Sequence, residues 1–255
     1  MNRSSLSVER IGEAFAGQVL HDYFGADIFI GSGIELKLSE LASVVYQDVD
    51  DADYHGATIV YPSGQTFVAL NTNDSLRLRY FTAAHELWHV LDLGNVLDEH
   101  VDQEQVADRF AAALMLPEPL MRMLWGRLQK DTDIQKQILL IADLSCMPYQ
   151  AVAKRLLELK LIRNHEWIDW KEAQWIQLRQ HLNYPRSPLD VAQHLSRFHA
   201  YEQVMEQRIR EHTADYLTAA SKLAHTSPDQ AAQYQKLASE QLQQFQQDVE
   251  NDDEA

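Results

Sequence analysis

The stretch FTAAHELWHVLDLG, residues 81–94, sets two histidines four positions apart with a glutamate directly after the first. On an α-helix, residues i and i+4 project from one face about a turn apart. His85 and His89 can therefore offer two imidazole nitrogens to one tetrahedral ion. Glu86 lies about 100° around the helix from His85, awkward as a third ligand but well placed to reach a water at that ion. This is the HExxH arrangement, in which two histidines ligate and the glutamate serves as general base. The chain holds 11 histidines, so the motif alone would arise by chance in roughly a few per cent of such chains. A third ligand is what decides.

The stretch EQVADRFAAALMLP, residues 104–117, begins fifteen positions after His89 and again reads as a helix. Glu104 and Asp108 lie four apart on it. Glu104 would complete an open two-His, one-carboxylate site, the ligand count of catalytic zinc. A ligating histidine needs its other ring N–H held by an acceptor, and Asp108, one turn on from Glu104, suits that role toward His85. The competing reading of Glu104 is a solvated surface charge.

The remaining chain is organised around these two helices. Val8, Ile11, Phe15, Val19, Leu20 and Tyr23 recur at helical spacing, with Gly25 as a stop signal. A short helix is expected at Ser39 to Val45. ATIVYPSGQTFVALN reads as two strands, Ala57 to Tyr61 and Thr66 to Asn71, around a Pro-Ser-Gly turn. The histidine helix is expected from Arg79 to Leu93, and the second from Asp102 to Leu116, stopped by Pro117 and Pro119. Residues 133–162 read as two helices around a tight turn, with Pro148 in the first position of the second. NYPRSPLD, residues 183–190, is the linker candidate, and long polar helices follow it. Trp167, Trp170 and Trp175 suit partial burial. In the last helix Tyr234, Ala238, Leu242, Phe245 and Val249 form a narrow apolar stripe fit for a bundle or short coiled coil, within this chain or between copies. The acidic DVENDDEA reads as a frayed tail.

With 38 acidic and 22 basic residues, a net charge of −16, the surface as a whole repels phosphate backbones and anionic lipid. Residues 130–163 are locally basic, which keeps a DNA contact open, but a packing hairpin that completes the fold is the favoured reading. The single cysteine, Cys146, rules out an internal disulfide and suits a reducing cytoplasm. No apolar leader or run long enough to span a bilayer is evident, so a soluble cytoplasmic protein without a membrane partner is expected.

RLRYFTAAHELWHVL followed by EQVADRFAAALMLP resembles the ImmA/IrrE family of metallopeptidases. Arg79, Tyr80, Phe81 and Thr82 match the approach to the family's HExxH helix. Glu104, Ala107, Asp108, Phe110, Ala111 and Pro117 match its second helix, and TFVALN occupies the place of the strand before the active-site helix. The resemblance covers residues from about 20 to 160. It implies His85, His89 and Glu104 as metal ligands and Glu86 as catalytic base. It departs at Trp88, where the family has glycine and where an indole would narrow the cleft or pack under the N-terminal helix. From about residue 185 onward nothing matches.

The expected fold is α+β: a small antiparallel sheet packed on zincin-type, gluzincin-like metal helices (HExxH…ExxxD), followed by an all-helical C-terminal region. Residues 1–128 would be the peptidase core, 129–184 a helix-turn-helix-like segment, and 185–255 a helical extension through which oligomers could form. The expected activity is a metal-dependent endopeptidase using Zn2+, with Mn2+ as second choice. The resemblance implies regulatory proteolysis of a helix-turn-helix repressor or an antitoxin. The alternative is a metal-stabilised interaction or DNA-binding module that cuts nothing. Thr66 to Asn71 is the expected substrate-pairing edge. Tyr80, Tyr61, His100 and Tyr149 are oxyanion donors among which the sequence does not choose.

Overall fold

The computed structural model describes residues 3–25, 28–128, 133–163 and 165–253. The start of the expected middle segment, at residue 129, and the last two residues of the acidic tail lie outside them. In chain order come α1 (Arg3–Val19), continued by one π-turn, α2 (Gly33–Leu41), β1 (Ser43–Gln47), β2 (Gly56–Val60), β3 (Thr66–Asn71), α3 (Leu76–Val90) and α4 (Gln103–Met115). Then follow α5 (Glu118–Leu128), α6 (Ile134–Ser145), α7 (Tyr149–Glu158) and α8 (Glu172–His181). The chain closes with β4 (Arg197–Phe198), α9 (His199–Arg210), α10 (Tyr216–Leu223) and α11 (Pro228–Asp253).

The fold is α+β, with one small sheet ordered β2-β3-β1-β4 and a helical C-terminal region. The sheet is mixed rather than antiparallel. β2 and β3 form the expected hairpin, but β3 also pairs in parallel with β1, Ser43 opposite Phe67 through Gln47 opposite Asn71. The reason lies at Ser43–Gln47, where a helix was expected. α2 ends at Leu41, and the β-branched and aromatic run Val44-Val45-Tyr46 suits a pleated strand, with Val44 buried and Val45 and Tyr46 half-buried on its two faces. β3 is therefore paired on both sides. The open edge beside α3 belongs to β2, not to Thr66–Asn71.

The metal-motif helices form the centre of the core. On α3, Tyr80, Ala83, Ala84, Leu87 and Trp88 are buried at helical spacing; on α4, Val106, Ala107, Phe110, Ala111 and Leu114 are buried likewise. Ser75 caps α3 by accepting from Leu78 N–H, and Asp102 caps α4 by accepting from Gln105 N–H. Trp88 takes the second of its two expected places. It is 1% exposed, edge-on to Phe15 of α1 at 5.3 Å and 5.5 Å from Phe110, so it lies under the N-terminal helix and leaves the cleft open. Of the tryptophan group, Trp175 alone is fully buried, against Trp170 and Tyr149.

Residues 183–190 and the stretch after them are fastened to the core. Arg77, 1% exposed at the start of α3, donates to Asp190, to Ser187 Oγ, to Asp143 and to the carbonyl of Ala142. Arg79 donates to Glu35 and to the Gln193 carbonyl, Leu76 N–H donates to the Val191 carbonyl, and β4 pairs with β1. The two buried arginines hide the first turn of α3 from a hydropathy reading, which is why that helix begins three residues earlier than expected. Beyond this strap α9, α10 and α11 share a second small core of Met205, Ala219, Ala220, Leu223, Ala231 and Tyr234. Leu242 and Phe245, further along α11, are exposed. Among the described residues no helix is long and apolar enough to cross a membrane.

Candidate metal centre

α3 and α4 lie side by side and bring His85, His89, Glu104 and Asp108 together on their outer faces. His85 Nε2 stands 3.1 Å from one Glu104 oxygen, His89 Nε2 stands 3.5 Å from the other, and the two Nε2 atoms are 3.4 Å apart. One ligand atom from each residue lies within 4.8 Å of the other two. Four donors at ~2.0–2.1 Å in a tetrahedron sit roughly 3.3 Å apart, so this spacing fits a single ion. The fit is chemical as well as metric. Two imidazole nitrogens facing each other beside a carboxylate need a positive charge among them.

His85 Nδ1 lies 2.9 Å from Asp108 Oδ1. With Nδ1–H donating to Asp108, the Nε2 lone pair is turned toward His89 and Glu104. Burial disfavours a charged His85 ring. The hydrogen bond to Asp108 and the charges of Asp108, Glu86 and Glu104 outweigh it and raise the proton affinity of His85 above the ordinary value. The site attracts positive charge. Glu104 and Asp108 are mostly solvent-exposed, while His85 and His89 are mostly covered.

Glu86 points the other way round the helix, toward the sheet, and is 5% exposed. Thr58 Oγ1 donates to Glu86 Oε2 at 2.7 Å. Gly56 admits this closeness, since a Cβ there would stand 2.6 Å from Thr82 Cγ2 and 3.3 Å from Glu86 Oε1. Burial and the charge of Glu86 together raise the pKa of Tyr54. Gly56, Ala57, Thr58 and Val60 form one wall of a cleft of about 440 Å³, and His85, Glu86, His89 and Glu104 form the other.

The structure thus gathers His85, Glu86, His89, Glu104 and Asp108, and adds Gly56 and Thr58, which no sequence pattern marks. None of the four oxyanion candidates lines this cleft. Tyr149 is buried and bonded to Arg77, Arg179 and Asp190, and Tyr61 packs on Phe67. Tyr80 is buried near Glu35 and Arg79, and His100 is exposed in a loop. α7, the second helix of the helix-turn-helix-like pair, buries Val152, Ala153, Arg155 and Leu156. Its N-terminal N–H groups at Tyr149 and Gln150 are taken by the Glu172 carboxylate. Pro148 stands at its N-cap rather than in its first turn.

Residues 42–157 match the M78 peptidase family model described as the IrrE N-terminal-like domain. This stretch, just under half of the chain, is similar to the domain of the ImmA/IrrE family, which points to a metallopeptidase and implies a divalent metal. A solved structure described as a Mycobacterium tuberculosis transcriptional regulator is similar at 16% identity and a TM-score of 0.42, over 61% of this chain and 52% of that one. This chain therefore spans about half the length of that protein. No curated protein matches.

Proposed function

We propose that the protein is a zinc endopeptidase that cuts one specific protein, a helix-turn-helix repressor or an antitoxin, as a step of regulatory proteolysis. The convergence of His85 Nε2, His89 Nε2 and the Glu104 carboxylate, with Glu86 set apart from them on the cleft wall, is the observation that carries this reading. His85, His89 and Glu104 would hold the ion. Zinc suits two imidazoles and one carboxylate with a position left open, and manganese is the second choice. The ion supplies a Lewis acid for the scissile carbonyl and lowers the pKa of a water. Asp108 keeps His85 in the tautomer that ligates. Glu86 is outside the ligand set and takes a proton at its carboxylate, then passes it to the leaving amine.

The substrate would lie as an added strand on β2. Asn71 N–H donates to the His55 carbonyl and Tyr61 N–H to the Gln65 carbonyl. In an antiparallel ladder, hydrogen-bonded and non-bonded pairs alternate, so the register turns the N–H and C=O groups of Gly56, Thr58 and Val60 toward the open edge. We divide the chain as 1–128, 129–184 and 185–255, with the middle segment serving to complete the core. The capped and largely buried α7 speaks for packing over DNA contact, and soluble operation in the cytoplasm suits such a partner.

The test is made in cells. Protein N-termini are labelled in cells carrying the native chain and in cells carrying Glu86→Gln, which keeps shape and volume but removes the proton acceptor. One protein should gain a new N-terminus with the native chain only, cleavage falling by roughly 10²–10⁴-fold in the variant. Full derepression by Glu86→Gln with every partner uncut would favour the binding-module reading instead.

A further inference from the structure

We propose that Thr58 is a positioning residue that couples the seating of an extended substrate to the orientation of Glu86. The inference rests on the reading of Glu86 as the proton acceptor and of β2 as the docking edge. Successive side chains of a strand alternate between faces, so Gly56, Thr58 and Val60 share the face that meets α3. The contacts agree, with Thr58 Oγ1 bonded to Glu86 Oε2 at 2.7 Å and Gly56 closed against Oε1. The same three residues are those whose main-chain N–H and C=O groups turn to the open edge. One residue therefore faces both partners, Thr58 offering its backbone to the substrate and its hydroxyl to the base.

β2 is paired on one side only, and an edge strand is held less firmly than one paired on both. A substrate strand seated on Thr58 fixes its main chain, and the hydroxyl then fixes the carboxylate. Thr58 is the hydrogen-bond donor that β2 sets against the Glu86 carboxylate. The bond orients a group near the reacting centre, where a misplacement of about 1 Å can cost roughly a hundredfold in rate. Substrates long enough to pair along Thr58 and Val60 gain in turnover over shorter ones for the same reason.

The test compares zinc-loaded native chain, Thr58→Val and Thr58→Ser. Valine keeps the branched shape and strand preference but loses the hydroxyl, and serine restores it. In crystal structures of the zinc-loaded proteins, Glu86 should hold one rotamer in the native chain and in Thr58→Ser, and several in Thr58→Val. A single native rotamer in Thr58→Val overturns the proposal. On a decapeptide spanning the cut site found by N-terminal labelling, Thr58→Val should lower kcat about 10–100-fold with KM within about twofold, and Thr58→Ser should restore most of it. Equal loss in both variants, or a loss in KM alone, overturns the proposal as well. A native chain that cuts nothing brings down the peptidase reading itself, whereas an active native chain with an unaffected Thr58→Val brings down this inference alone.

Discussion

Gly56→Ala places one methyl group in the seam between β2 and α3. Gly56 has no positive φ, so alanine meets no backbone strain there, and the substitution would by itself stabilise the fold by about 0.4–1 kcal/mol through the unfolded chain. Against this stands the contact. The new Cβ would lie 2.6 Å from Thr82 Cγ2 and 3.0 Å from the Ala69 carbonyl, both fixed by a buried helix and a paired strand. Ordinary carbon contacts are ~3.5–4.0 Å, so β2 must retreat from α3 by roughly 1 Å. Overpacking of this kind costs about 1–3 kcal/mol, and the steric effect outweighs the entropic gain. Urea unfolding should show a lowered midpoint with an unchanged slope, for a net loss of about 1–2 kcal/mol. The retreat also carries Thr58 away from Glu86, so cleavage should fall by about a hundredfold. A Gly56→Ala chain as stable as the native one, or more so, would refute the close approach on which the cleft geometry depends.

Asp108→Ala should weaken metal affinity by roughly 10–100-fold while the unfolding midpoint stays put, since it frees the His85 ring without opening the core; competition with a chromogenic chelator reads this, and unchanged affinity would return Asp108 to a plain surface charge. Burial alone would raise the Asp143 pKa, but hydrogen bonds from Arg179 and Arg77 prevail and hold it below the ordinary carboxylate value. A depressed folded value stabilises the fold above the unfolded pKa of about 3.9 and is lost as pH falls below it. Asp143→Asn should therefore lower stability at neutral pH and flatten its decline below about pH 4, and an acid limb identical to the native one would contradict the assignment.

The metal helices were legible because their constraint is local. His85, Glu86 and His89 need only one turn of helix, and Glu104 with Asp108 needs one more, so spacing groups the side chains on each helix, while the meeting of the two helices is what the family resemblance implies. Their caps, Asp102 above all, are local too. What stayed hidden was set by partners distant in sequence. Val44-Val45-Tyr46 is too short to separate strand from helix by period, and its strand state comes from pairing with β3 on one side and β4 on the other. With β1 missed, the hairpin strand Thr66–Asn71 looked like an edge, and the side chain that reaches Glu86 from the true edge, Thr58, carried no signal. The strap after residue 183 reads as a linker because its proline and polar residues are those of a loop. It is held by Arg77 and Arg79, charges that a hydropathy pattern assigns to the surface although they are buried.

X-ray absorption on the metal-titrated protein tests the central claim most directly. The account predicts one zinc per chain, bound by two imidazoles and low-Z oxygen ligands at ~2.0–2.2 Å, with stoichiometric binding lost in His85→Ala and in His89→Ala. A spectrum without imidazole scattering, or a stoichiometric ion that survives both substitutions, would contradict it.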